Sequence, residues 1–184
     1  LDPKRYAGQL IWDEGGIDKC SVPFSKDTSD DAPIDGIYTA PTISKENTGA
    51  RYANILTQIF TKDLNSVEKN YDRAIQQEQP GGFTGHGREE VTDFWNTLIS
   101  AFPDSKFTIE HISFTEEKDQ AKKAAIRWSL IGSHSGNGNF GKPSNAPVYV
   151  MGISHAEFSP RGIKNEWVLF DETIIWKQIL MKTG

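Results

Sequence analysis

Lys164-Asn165-Glu166-Trp167-Val168-Leu169-Phe170-Asp171-Glu172-Thr173-Ile174-Ile175-Trp176-Lys177-Gln178-Ile179 begins with the period of a strand and ends as a helix or tight turn. Strand alternation puts Trp167, Leu169 and Asp171 on one face and Glu166, Val168, Phe170 and Glu172 on the other. A carboxylate that ends an apolar strand on the same side as a Trp is an unusual placement. If that face is interior, desolvation raises the pKa of Asp171 and suits it to proton transfer. The competing reading makes Asp171 the N-cap of a helix starting at Thr173, since Asp is favoured there. One residue can do both.

Working back from this stretch, Ser159-Pro160-Arg161-Gly162 is a hairpin turn, and three further strands precede it. Pro147 to Phe158 places Ile153, His155 and Glu157 on one face. Ala121 to His134 places Trp128, Leu130, Gly132 and His134 on one face, with Arg127 opposite. Lys106 to Phe114 alternates with Phe107, Ile109, His111 and Ser113 together. Upstream lie helical patterns. Tyr52, Ile55, Leu56, Ile59 and Phe60 follow amphipathic spacing, and Val91, Phe94, Trp95, Leu98 and Ile99 mark a helix from Arg88 to Ala101. Asn65-Ser66 opens a short helix through Tyr71, and Ala74 to Gln79 reads as a short strand broken by Pro80-Gly81-Gly82. Helices followed by a meander of strands predict an α+β fold, with helices on one face of an antiparallel sheet.

Residues 21–49 are rich in Ser, Asp, Pro, Thr and Gly and read as a linker or surface arm. The expected division is an arm over residues 1–49 and a domain over 50–184. The 184 residues, 36% hydrophobic and 24% charged, suit one sizeable core. The net charge of −5 gives no reason to expect nucleic acid or an anionic membrane as partner. No apolar run approaches transmembrane length. Cys20 is the single cysteine, which excludes an internal disulfide and a cysteine zinc site. It fits a reducing compartment, and the expected location is cytoplasmic. The four histidines are dispersed without ligand spacing, so no metal is expected. No Gly-rich phosphate loop follows a strand, and no Gly-x-Ser-x-Gly elbow occurs.

The runs Gly85-His86-Gly87-Arg88-Glu89, Phe102-Pro103-Asp104, Ala125 to Gly136, Met151-Gly152-Ile153-Ser154 and Glu166-Trp167-Val168-Leu169-Phe170-Asp171 stand in an order and spacing that resemble the SnoaL-like polyketide cyclases. These are also called ester cyclases, within the nuclear transport factor 2-like superfamily. The resemblance implies a cone-shaped α+β barrel, a curved antiparallel sheet wrapped around N-terminal helices with an internal pocket. It implies cofactor-free acid–base chemistry beside a carbonyl (aldol cyclisation, isomerisation or dehydration, a lyase or isomerase activity) on an apolar small molecule. Asp171 matches the family's late aspartate and His155 is nearest to its pocket histidine. Pairing through the outer sheet face is implied too, as a homodimer or with a preceding similar domain. Leu1-Asp2-Pro3-Lys4-Arg5-Tyr6 looks like the stretch that follows a first domain in two-domain members, so this chain is read as a C-terminal half.

Beside the catalytic pair Asp171 and His155, the candidate ligand contacts are Trp167, Trp128, His86, His134 and Glu157. His155 shares a face with Glu157, which could orient it. Two other readings stay open. One is a non-catalytic binding or dimerisation module, which requires a closed pocket or an Asp171 occupied as a cap. The other is an epoxide-type hydrolase, which requires an acid–Arg–acid cluster and an inward Arg127.

Overall fold

The computed structural model describes residues 47–184; the expected arm up to residue 46 lies outside the described residues. Asn47 opens the first helix, α1 (Thr48–Phe60), by accepting the Ala50 N–H at 2.7 Å. The Glu116 carboxylate accepts the Thr48 N–H at 2.8 Å and also the Thr48 hydroxyl, so the Thr48 and Ala50 donors of the first turn are met. Tyr52, Ile55, Leu56 and Ile59 are buried along one side, as their spacing predicts.

A short α2 (Asn65–Asn70) leads into β1 (Tyr71–Gln79), a 3-10 turn (Pro80–Gly82), β2 (Phe83–His86) and α3 (Gly87–Ala101). Four strands follow, β3 (Lys106–Thr115), β4 (Lys122–Ser133), β5 (Pro147–Ser159) and β6 (Gly162–Phe170), and then α4 (Glu172–Thr183). Strand β1 takes in Tyr71, Asp72 and Arg73, which the sequence had suggested for the end of a helix and a gap. The sheet order is β2-β1-β6-β5-β4-β3.

The fold is α+β, and one expectation is corrected. The sheet is mixed rather than antiparallel, because β1 lies parallel to β6. Strand β1 comes from the helical half of the chain and adds beside the last strand, where its inward Gln77 is in register with Glu166. The meander β3–β4–β5–β6 is antiparallel throughout.

A bulge between Ile109 and His111 in β3 turns its alternation over. Ile112 then faces inward with Phe107 and Ile109, and His111 pairs outward with Arg127, so the single face predicted for Phe107 through Ser113 is split. The inner face carries Ile126, Trp128, Leu130, Val150, Val168 and Phe170, packed against α1 and α3. Trp128 lies within ring distances of 5.4 Å of Phe60, 6.0 Å of Phe107 and 6.1 Å of Phe170.

Helix α4 covers the edge of β5 that β6 leaves free beyond Phe170. The Gln178 side chain accepts the Tyr149 N–H at 2.7 Å and donates to the Tyr149 carbonyl at 3.0 Å, and Ile175 and Ile179 are buried beneath the helix. No described helix is long and apolar enough to cross a membrane.

Candidate functional site

The buried carboxylate of β6 is Glu166, with no exposed surface, and not Asp171. Strand β6 buries Glu166, Val168 and Phe170, and turns Trp167, Leu169 and Asp171 outward. The condition for an acid in an apolar pocket, that the face of Asp171 and Trp167 be interior, is therefore not met. Both faces of this strand are apolar, so alternation alone does not tell inside from outside; α1 and α3 covering the Glu166 side does.

Three elements converge on the Glu166 carboxyl. Tyr52 from α1 donates its hydroxyl to Oε1 at 2.7 Å. Tyr71, the first residue of β1, donates to the same oxygen at 2.8 Å. Gln77, beside Glu166 in the parallel register, donates Nε2–H to Oε2 at 2.7 Å. Gln79 donates in turn to Gln77 Oε1 at 2.9 Å, which fixes which end of the Gln77 amide meets the acid. The Trp95 indole N–H is buried without a hydrogen-bond partner. Trp128 donates to Ser154 Oγ at 2.9 Å.

Burial pushes the Glu166 carboxyl above the ordinary carboxylate range, against the pull of the Tyr52, Tyr71 and Gln77 donors and of the nearby Trp95 indole N–H. Burial, and then the Glu166 charge, push both phenols well above the usual tyrosine range. An acid whose ionised form is disfavoured by burial, set between two phenols in an aromatic interior, is placed to exchange a proton with a carbon or oxygen beside it. The phenols are donors of the kind that steady a developing enolate oxygen.

The other predicted residues fall elsewhere. Asp171 is exposed and caps α4 by accepting the Ile174 N–H at 3.1 Å, so its capping reading holds in the structure. His155 is exposed on the outer face, opposite Trp167 in register, with half-buried Glu157 two residues on. The sheet itself separates Asp171 and His155 from Glu166. Of the predicted contacts, Trp128 faces the interior and His134 is buried just past the end of β4, against Phe102. Trp167 is 44% exposed on the far side.

His86 is exposed at the end of β2, where its backbone N–H meets the Glu90 carboxylate at 2.7 Å. His134 is buried rather than at a pocket mouth. Its Nδ1 lies 3.1 Å from Ser144 Oγ, and its carbonyl accepts the Ser144 and Asn145 N–H groups, so it shapes the loop before β5. Burial holds its imidazole below the usual range. Arg127 faces outward, as alternation predicts, and the groups hydrogen-bonded to Glu166 are two phenols and an amide. The acid–Arg–acid cluster of the hydrolase reading is not assembled around Glu166. No group of His, Cys, Asp and Glu among the described residues could hold a metal ion.

The sequence placed Glu166 on the face opposite Asp171 but gave it no role. The signal that could have found it is the pair of tyrosines at helix and strand positions of apolar character, Tyr52 and Tyr71. A buried phenol needs an acceptor.

The backbone resembles several solved structures. A protein from Jannaschia sp. CCS1 assigned to the SnoaL-like polyketide cyclases superposes with a TM-score of 0.60 at 14% identity, over 74% of this chain and 96% of that one. IdmH from Streptomyces antibioticus, assigned as a polyketide cyclase, gives 0.58 at 17% identity, over 72% and 99%. AclR from Streptomyces galilaeus, assigned as a hydroxylase, gives 0.56 at 14% identity, over 73% and 98%. At such identities the likeness shows the fold. No curated protein sequence matches the chain. The family model described as SnoaL-like polyketide cyclase matches residues 50–179, from α1 into α4. With well over half its length matched, this chain belongs to the SnoaL-like polyketide cyclase family.

Proposed function

We propose that this domain performs cofactor-free acid–base chemistry on an apolar carbonyl compound taken into the interior, with Glu166 as the proton-transferring acid. The observation that carries the reading is the wholly buried Glu166 carboxyl, raised by desolvation and bonded to two phenols and an amide. A substrate oxygen would take over the Tyr52 and Tyr71 hydroxyls from Oε1. Freed of those donors in an apolar surround, the carboxylate becomes a stronger base toward the carbon beside the carbonyl.

Deuterium uptake at that carbon, followed by NMR across a panel of aromatic ketones and 1,3-diketones, tests this. Glu166→Gln is expected to slow uptake by about 100-fold or more, and Asp171→Asn to leave it unchanged. Equal uptake by wild type and Glu166→Gln overturns the assignment. Loss of uptake in Asp171→Asn alone returns the role to Asp171.

A second reading, assembly through the outer sheet face, is favoured by the apolar surface there. Ile131, Tyr149, Met151, Ile153, Trp167 and Leu169 stand out from three adjacent strands, with Met151 55% and Leu169 66% exposed. The occupant we infer is a second copy. Trp167 projects beside a hollow of about 530 Å3 floored by Ala125 and bordered by Ser113, Lys123 and Glu157. The projecting indole, the hollow and both charge signs lie on one face, as a two-fold self-pairing needs. Sedimentation is expected to give a dimer for wild type and a monomer for Leu169→Glu with Met151→Glu. A monomeric wild type sinks the pairing and leaves the interior chemistry standing.

A further inference from the structure

Several surface hollows indent the domain, and they differ in what they touch. Those of about 530, 550 and 610 Å3 that include His155, Asp171 or Lys164 open on the sheet's outer side or its edge. Another of about 550 Å3, between the α1–α2 turn and the end of α3, includes Lys62, Leu64, Ile99 and Pro103. A smaller cleft of about 320 Å3 lies between the β1–β2 hairpin and α3 and includes Gln79, Phe83, Glu90, Asp93 and Phe94.

That cleft joins the surface to the interior twice. Phe94 is half-buried, with its ring 4.9 Å from Trp95 and 6.4 Å from Phe170. It therefore forms both the floor of the cleft and the outer layer of the aromatic interior. Gln79 is the second link, since it holds Gln77, which holds Glu166. Gly85 leaves room for this link, because a Cβ there would lie 2.7 Å from Gln79 Nε2.

We propose that this cleft is the mouth of the interior, plugged by Phe94, through which a small ring compound with a hydroxyl or keto group reaches Glu166. The ring would replace Phe94 against Trp95 and Phe170, and the polar group would meet the Gln79 amide first. The carboxylates of Glu90 and Asp93 at the rim disfavour anions, so the ligand class is neutral or cationic. This deepens the reading of Glu166 as the reacting acid. Access is measured without any substrate, so the two stand or fall separately.

The test is hydrogen exchange by NMR at the Gln77 side-chain amide and the Trp95 indole N–H. Phe94→Ala is expected to speed exchange at both by about tenfold or more, with the β4 and β5 backbone amides unchanged. Leu64→Ala, which opens the hollow beside α2, is expected to leave both slow. No acceleration in Phe94→Ala, or equal acceleration in Leu64→Ala, overturns the mouth. Should Phe94→Ala fail to fold, Gly85→Ala answers the same question by pressing on Gln79. Faster exchange at Gln77 supports the link, and an unchanged rate overturns it. If exchange behaves as expected while Glu166→Gln retains full deuterium uptake, the mouth stands and the chemistry falls.

Discussion

Glu166→Leu is expected to cost the domain on the order of 4 kcal/mol in urea unfolding, a large share of the roughly 5–15 kcal/mol that folds a domain. The substitution leaves the Tyr52 and Tyr71 hydroxyls and the Gln77 amide buried with no acceptor. Each stranded donor carries a desolvation cost of about 1–3 kcal/mol, partly offset because the buried carboxyl itself is gone. Glu166→Gln is expected to cost far less. Its carbonyl still accepts both phenols, and the Gln77 and Gln79 amides can turn over together so that Gln77 meets the new N–H₂ with its oxygen.

The same pair of variants predicts a pH dependence. The folded-state pKa of Glu166 is raised, so between its unfolded and folded values the native state binds more protons than the unfolded chain. Its contribution is fully present below the ordinary glutamate value of about 4.3 and is lost as pH rises through the raised value. Wild type is therefore expected to lose stability relative to Glu166→Gln across that window. Parallel stability profiles for the two proteins would mean that Glu166 ionises as freely folded as unfolded, and the proton-holding role would go with it.

Gly152→Ala is expected to cost about 3 kcal/mol or more. A Cβ on Gly152 would lie 2.2 Å from Cζ2 of Trp128, so one of the two must move. The Trp128 indole has little room, wedged among Phe60, Phe107 and Phe170 and tied to Ser154. The backbone at Gly152 is equally fixed, paired with Trp128 on one side and Phe170 on the other. Thermal unfolding of Gly152→Ala, Trp128→Leu and the double variant checks the cause. If the contact is the source, the double variant loses clearly less than the sum of the singles. Additive losses would place the cost in the strand backbone instead.

These effects come from contacts made by residues far apart in sequence, and the sequence showed them unevenly. The α1 and α3 stripes were legible because a helix with one apolar side has only one way to bury it. Strands β4 and β5 were legible within a residue or two, because alternation and the flanking Gly and Pro residues marked them. Strand β2 was not legible. Phe83–His86 holds two glycine-flanked residues at a turn and becomes a strand only by pairing with Gln76 to Gln79. The bulge at Glu110 was invisible for a related reason, since it exists only relative to the register with β4.

Of the site, Trp128 was correctly placed inside, because its opposite neighbour Arg127 settled the direction of β4. Strand β6 had no such neighbour. Trp167 and Leu169 on one side balance Val168 and Phe170 on the other, and Asp171 at the end drew the reading toward the side that the structure leaves open.

The sequence by itself determined an α+β chain of amphipathic helices and alternating strands, the bounds of α3, β3, β4 and β5 to within about a residue, and its family resemblance, since all three are written in local spacing. Only the tertiary structure decided which carboxylate is buried. A period of two divides a strand into two faces, but the energy that selects the inner one comes from what covers it. Tyr52 on α1, Tyr71 and Gln77 on β1 and the rings around Trp128 cover Glu166, and nothing described covers Trp167. Burial then follows from desolvation and from hydrogen bonds spanning up to 114 residues, which no local pattern can register.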